Sequence, residues 1–144
     1  MKNQSYANHT RFMPAFHFVL VPLGFAAFAA SIVLLFLSIG DANKLTFALM
    51  AAVLALIAVM TMIVARSFAC KVQDRAIRAE QNLRHFVQTG KLLDPRLTMQ
   101  QIIALRFASE EEFASLCERA FKENLSPDAI KRSVLNWKAD YDRV

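Results

Sequence analysis

Residues 31–60 read SIVLLFLSIGDANKLTFALMAAVLALIAVM. Two apolar runs meet in this stretch, and its only formal charges, Asp41 and Lys44, lie between them. Outward from here, no charged residue occurs in the 29 positions between Arg11 and Asp41, nor in the 21 between Lys44 and Arg66. A bilayer's hydrocarbon core takes roughly 20 apolar residues to cross as a helix. Each central Leu, Ile, Phe or Val favours insertion by about 0.3–0.6 kcal/mol, with no buried charge opposing it. The sequence therefore predicts transmembrane helices at residues 18–39 and 45–65, joined by a short link at 40–44. So short a link makes the two helices antiparallel neighbours, a hairpin.

Composition agrees. The chain has 144 residues, 56% hydrophobic and only 20% charged, where a soluble domain carries about 25% charge. Three Gly and four Pro leave little for a loop-rich β fold, and two Cys exclude a disulfide scaffold or a four-thiolate zinc site. A cleaved signal peptide is the competing reading of the first run, since Lys2 and Arg11 precede it and Ala27-Phe28-Ala29 has a small-x-small pattern. Signal h-regions are only about 7–15 residues long. Here Ser31 leads straight into IVLLFLSI, so an uncleaved anchor is expected.

Lys and Arg set the orientation. Lys2 and Arg11 lie in the segment before the first span (residues 1–17), one Lys lies in the link, and Arg66, Lys71, Arg75, Arg78, Arg84 and Lys91 follow the second. By the positive-inside rule both termini of this multi-pass chain are cytoplasmic. Within the hairpin, Ala48, Ala51, Ala52, Ala55 and Ala58, and Ala26, Ala27, Ala30 and Ser31, recur at helical spacing. Small residues let helices approach closely in lipid, so these are the expected packing faces. Pro22 lies one turn inside the first apolar segment and reads equally as a kink or as a residue near the helix start.

No Gly or Pro interrupts the chain from Arg66 until Gly90. Phe68, Val72, Ala76, Ala79, Leu83 and Phe86 step by three or four, which predicts that the second span continues as an amphipathic stalk over residues 66–90. Arg66, Lys71, Arg75, Arg78, Arg84 and Lys91 form its charged outer face, with Asp74 and Glu80. Residues 91–144 read as three short cytoplasmic helices with separate start signals. Thr98 and Gln101 make a capping box flanked by Leu97 and Ile102, and Ser109 and Glu112 make a second. Ser126 followed by Pro127, with Leu125 opposite Ile130, makes the third. The middle helix is expected to bury Phe113, Leu116, Cys117, Ala120 and Phe121, and the last Ile130, Val134, Trp137 and Tyr141. The fold class is thus an all-α membrane protein: a hairpin, a cytoplasmic stalk and a small three-helix region.

Gln4-Ser5-Tyr6-Ala7-Asn8-His9 with Arg11, Phe12 and His17, the run Ile102, Ala104-Leu105-Arg106-Phe107-Ala108-Ser109, and Ile130, Lys131, Trp137, Asp140, Tyr141, Arg143 and Val144 carry a likeness over nearly the whole chain. In these residues it resembles a family of small bacterial two-span membrane proteins known only as a domain of unknown function. The resemblance implies architecture and a bacterial cytoplasmic (inner) membrane location, which makes residues 40–44 a periplasmic link, and no activity.

No phosphate loop, dinucleotide fingerprint, nucleophile elbow or zinc-protease motif occurs. His9 and His17 are eight apart, about 12 Å along a helix, too far to share one metal ion. They read as interfacial side chains; the rival reading is an electron-transfer accessory subunit touching haem or quinone through one of them. Cys70 and Cys117 read as packing residues in a reducing compartment, and Glu110 to Glu112 as compensation of a helix dipole. Arg66, Lys71 and Arg75 suit anionic headgroups. Lys131, Arg132 and Lys138 make only a weak basic patch, which leaves a membrane-tethered nucleic-acid-binding regulator as the least favoured reading. Tyr6, Phe12 and Phe16 among Asn3, Gln4, Asn8 and Arg11 suit an interfacial or docked segment.

The expected function is that of a non-enzymatic scaffold or accessory subunit of a larger membrane assembly, without a cofactor. Its partners are lipid, other membrane proteins or further copies of itself. The residues expected to make contacts are Tyr6, His9, Arg11, Phe12 and His17 near the first span, and Arg106, Trp137 and Tyr141 on the distal helices.

Overall fold

The computed structural model describes residues 5, 6 and 13–140; among them every regular element is helical. One wide helical turn, Ala15–Leu20, leads into α1 (Val21–Leu37), and α2 spans Ala42–Thr89 without a break. Then come α3 (Met99–Leu105), α4 (Glu110–Lys122) and α5 (Pro127–Ser133). Residues 13–69 form one compact unit, and residues 70–140 with Ser5 and Tyr6 form a second.

In the first unit, Pro22 lacks the N–H of the helical ladder and crowds the carbonyl one turn before it. The chain accommodates it by widening that turn, so that Val21 N–H reaches back five residues to Phe16 O. The link between α1 and α2 is tighter than residues 40–44. Asp41 Oδ1 accepts the backbone N–H groups of Asn43 and Lys44 at 3.1 and 3.2 Å, and this cap starts α2 at Ala42. Gly40, at φ +104°, makes the reversal that a side chain would resist.

The hairpin packs on fewer small residues than the alanine spacing suggests. Gly24, Ser31 and Ser38 lie inward on α1, opposite Ala48, Ala52 and Val59 on α2, whereas Ala26, Ala27, Ala30, Ala51 and Ala58 face outward. A Cβ placed on Gly24 would stand 3.8 Å from Val59 Cγ2 and 3.9 Å from Met62 Cε, an ordinary contact distance. The buried serines bond within their own helix, Ser31 Oγ to Phe28 O at 2.7 Å and Ser38 Oγ to Leu34 O at 2.8 Å. Both apolar helices are long enough to cross a membrane. Only 6% of the first apolar window and 17% of the second are buried within the protein.

In the second unit the three cap signals start three helices. Thr98 N–H donates to Gln101 Oε1 at 2.8 Å and Gln101 N–H to Thr98 Oγ1 at 3.3 Å, closing the box on α3. Ser126 Oγ accepts Ala129 N–H at 3.1 Å, with Pro127 as the first residue of α5. Ile77, Leu97, Ile102, Leu105, Phe113, Leu116, Cys117 and Ile130 make the core. Gly90, at φ +73°, ends α2 and donates its N–H to Phe86 O at 2.8 Å.

Two expectations are corrected here. The last helix stops at Ser133, so Val134 and Trp137 lie on an extended tail, and Tyr141 is outside the described residues. The tail stays extended because its amides find partners elsewhere: Lys138 N–H donates to Phe107 O at 2.8 Å, and Ala108 pairs with Trp137 in one antiparallel bridge. Phe68, Val72, Leu83 and Phe86 are all exposed, whereas Ile77 and Gln81 are buried and Arg84 and His85 half-buried. It is thus the polar side of α2 that meets the bundle. The reason is donor supply, because the bundle offers carbonyls and carboxylates there, and an unsatisfied buried acceptor costs about 1–3 kcal/mol.

Candidate functional site

Sequence placed Glu110, Glu111 and Glu112 in the first turn of α4, where the helix dipole favours negative charge. The fold gives two of them further work. Glu110 Oε2 accepts Arg84 Nε at 2.9 Å and Gln88 Nε2 at 2.7 Å from α2, while its Oε1 accepts Lys138 Nζ at 2.8 Å from the tail. The hydrogen bonds from Lys138 and Arg84 hold the Glu110 carboxyl below the usual carboxylate range. Burial would raise Glu112, but the backbone N–H groups of Leu135, Ser109 and Asn136 outweigh it and bring its carboxyl below that range as well. The three donors stand 3.0, 3.1 and 3.1 Å from its oxygens, so one side chain closes the cap and pins the tail.

Arg84 was expected on a solvated face. Instead its side chain is 10% exposed; Nη2 donates to Ala108 O at 2.8 Å, and the guanidinium carbon lies 4.0 Å from the Phe113 ring centroid. Beside it, Arg106 Nε is 3.1 Å from Asp140 Oδ2, and the Arg106 guanidinium lies 4.5 Å from the Phe107 ring. Trp137 packs on the other partner of that group, its ring 4.8 Å from Phe107. Arg84, Arg106 and Asp140 line an open cleft of about 550 Å³, bounded also by Ala76, Glu80 and Lys138. In the cleft Arg106 pairs with Asp140, while Arg84 and Lys138 both reach Glu110 beside it, an arrangement suited to bracing elements.

Of the residues predicted to make contacts, Arg106 is 6% exposed inside the domain and Trp137 is half-buried against Phe107. Tyr6 meets α5 of its own chain: its hydroxyl donates to Asp128 Oδ1 at 2.6 Å, and Arg132 Nε donates to the hydroxyl at 3.3 Å. His17 Nδ1 lies 3.0 Å from Met13 O and 3.2 Å from Met13 N, and its ring packs edge-on to Phe16. His9, Arg11, Phe12 and Tyr141 lie outside the described residues. Among the lipid candidates, Lys71 and Arg75 are exposed, and the Arg66 guanidinium lies 5.6 Å from the Phe16 ring. In the weak basic patch, Arg132 pairs with Asp128 at 2.9 Å and Lys138 with Glu110.

Among the described residues no three His, Cys, Asp or Glu side chains converge as a metal site requires. Burial pushes the Cys117 thiol up to about 12, far from the reactive range. Sequence reasoning missed the roles of Glu110, Arg84, Lys138 and the Tyr6–Asp128 pair. Only Glu112 carried a local signal, its place three residues after Ser109.

The model of a family described as a family of unknown function, DUF6526, matches residues 1–144, and the chain belongs to that family. No curated protein and no solved structure matches it.

Proposed function

We propose that this member of DUF6526 is a membrane-anchored scaffold, an accessory subunit that holds a rigid helical domain on the cytoplasmic side of a bacterial inner membrane. The observation that carries the reading is the outward display of apolar side chains on both long helices, where only 6% and 17% of the apolar windows are buried. The core helix of a soluble protein buries such a face; a helix solvated by lipid has no need to. The excess of Lys and Arg after the second run favours cytoplasmic termini. The scaffold role is supported by the second unit, whose carboxylates and guanidinium groups are engaged in joining α2, α4 and the tail.

The test is an alkaline carbonate wash of membranes holding the full chain, together with reporter fusions at each end. Retention in the pellet with both reporters active only in the cytoplasm is expected. Release into the supernatant, or reporters on opposite sides, would overturn the reading.

A further inference from the structure

One face of α2 carries Val72, Ala76, Ala79, Leu83 and Phe86, all exposed, with Val72 at 68%, Leu83 at 64% and Phe86 at 51%. Their spacing of four, three, four and three residues is the seam of a heptad repeat, with Ala76 and Leu83 at a and Val72, Ala79 and Phe86 at d. Ile77, Gln81 and Arg84, which meet the bundle, lie on the opposite side of the helix; Ala76 and Glu80 border the cleft lined by Arg106 and Asp140, and among the described residues the bundle leaves Val72, Ala79, Leu83 and Phe86 open. We infer that this seam is the interface of a parallel two-stranded coiled coil with a second copy of the chain.

Charge selects the occupant and the direction. In this register Arg75 falls at g and Glu80 at the following e, five residues later. In a parallel pair the g side chain of one helix faces the e side chain five residues on in the other, so Arg75 of each copy meets Glu80 of its partner twice by symmetry. In an antiparallel pair like edges meet, and the edge bearing Lys71, Arg75 and Arg78 would oppose itself. Neither Arg75 nor Glu80 enters any of the ion pairs formed among the described residues. The seam extends only about 21 Å, short for an isolated coiled coil. Here the inference rests on the membrane-anchored reading, since confinement in one bilayer with a common orientation raises the effective concentration and favours parallel encounter.

The full chain, carrying Cys70→Ser and Cys117→Ala, is given one new cysteine at a time in membranes and oxidised. Leu83→Cys and Phe86→Cys are expected to form symmetric disulfide dimers at least about tenfold faster than Arg119→Cys on the exposed side of α4. Arg75→Glu is expected to lower the dimer fraction about three- to tenfold, and adding Glu80→Arg to restore it. The crosslinking and charge-reversal sites are exposed, and Cys117→Ala keeps a small apolar side chain in the core, so the fold is left intact. Equal rates at 83 and 119 would overturn the proposal, as would Val72→Cys pairing with Leu83→Cys, which marks an antiparallel seam, or capture of a different protein at the seam. The carbonate wash separates the two failures. A chain retained in the pellet without seam disulfides overturns the dimer alone, and one that is extracted yet crosslinks at the seam overturns the membrane reading alone.

Discussion

Arg84 on α2 donates its Nε to Glu110 Oε2 at 2.9 Å, at a point where the arginine side chain is nine-tenths hidden from solvent. Glu110 in turn holds Lys138, so a single carboxylate ties three segments distant in sequence. Arg84→Ala and Glu110→Ala should each lower stability by about 1–3 kcal/mol, because each leaves polar groups at the junction without their partners. Since both changes break the same contact, the double variant should lose less than the sum. Denaturant unfolding of the four proteins, followed by the fluorescence of Trp137, measures this, and strict additivity would count against a shared network.

Acid should loosen the same junction. Glu110 and Glu112 both hold carboxyl values below the ordinary 4.5, the first through Lys138 and Arg84, the second through three backbone amides that outweigh its burial. A carboxylate depressed in the folded state contributes stability that is complete above its unfolded value and is lost as pH falls through its folded value. Unfolding midpoints should therefore lose this contribution below about pH 4.5, the ordinary value of these groups. In a variant carrying Glu110→Gln and Glu112→Gln the acid-side decline should be shallower, with lower stability at neutral pH. A titration of midpoint against pH for both proteins tests the sign.

Glu112 holds the start of the tail. Its oxygens accept the amides of Leu135 and Asn136 besides that of Ser109, and a glutamine has one acceptor oxygen where the carboxylate has two. Glu112→Gln should cost about 1–3 kcal/mol and free the tail. Trp137, the only tryptophan, rests on Phe107 at 4.8 Å and should then emit at longer wavelength at native pH. Glu111→Gln, one residue away on the same turn, serves as the control and should leave the emission unchanged.

These relationships mark where sequence stops being legible. The three helix starts were readable because a cap is local: Thr98 and Gln101, Ser109 and Glu112, and Ser126 and Pro127 lie within three residues of each other. The amphipathic spacing of α2 was readable as a pattern but not as a direction. Periodicity says that Val72, Leu83 and Phe86 share a face, and only the bundle's demand for donors at Ala108 O and Glu110 turns the opposite face inward. Trp137 and Val134 continued a helical period that the chain abandons at Ser133, because Phe107 O and the Glu112 carboxylate compete for the tail's amides. The second roles of Glu110 and Glu112 depend on residues more than twenty positions away, which no local pattern encodes.

Gly24 offers a test of the hairpin. The nearest atoms to a Cβ there are Val59 Cγ2 and Met62 Cε at ordinary contact distances, and Gly24 itself sits within α1. Gly24→Ala should be neutral or stabilising by up to about 1 kcal/mol, since alanine is the better helix former and its methyl fits. Gly24→Phe should force α1 and α2 apart. A fluorophore pair on the two helices, read in detergent micelles, should report an unchanged separation for the first variant and a larger one for the second.

Tyr6 is the part of the N-terminal segment whose docking can be tested without touching the core. Its hydroxyl is the largest cause holding the Asp128 carboxyl below the usual range, and Arg132, whose guanidinium also lies 5.3 Å from the Tyr6 ring, adds to the effect. Tyr6→Phe keeps the ring and its contact with Arg132 but removes the 2.6 Å hydrogen bond. The Asp128 value should then rise toward that of an ordinary aspartate, a shift that carbon-detected NMR titration of its carboxyl reads directly. Tyr6→Ala also removes the ring, so cleavage at residue 6 and its neighbours by limited proteolysis should be faster than in Tyr6→Phe. Loss of a hydrogen bond alone costs about 0.5–1.5 kcal/mol. Equal cleavage of the wild-type chain and both variants would count against a hold of Tyr6 on α5.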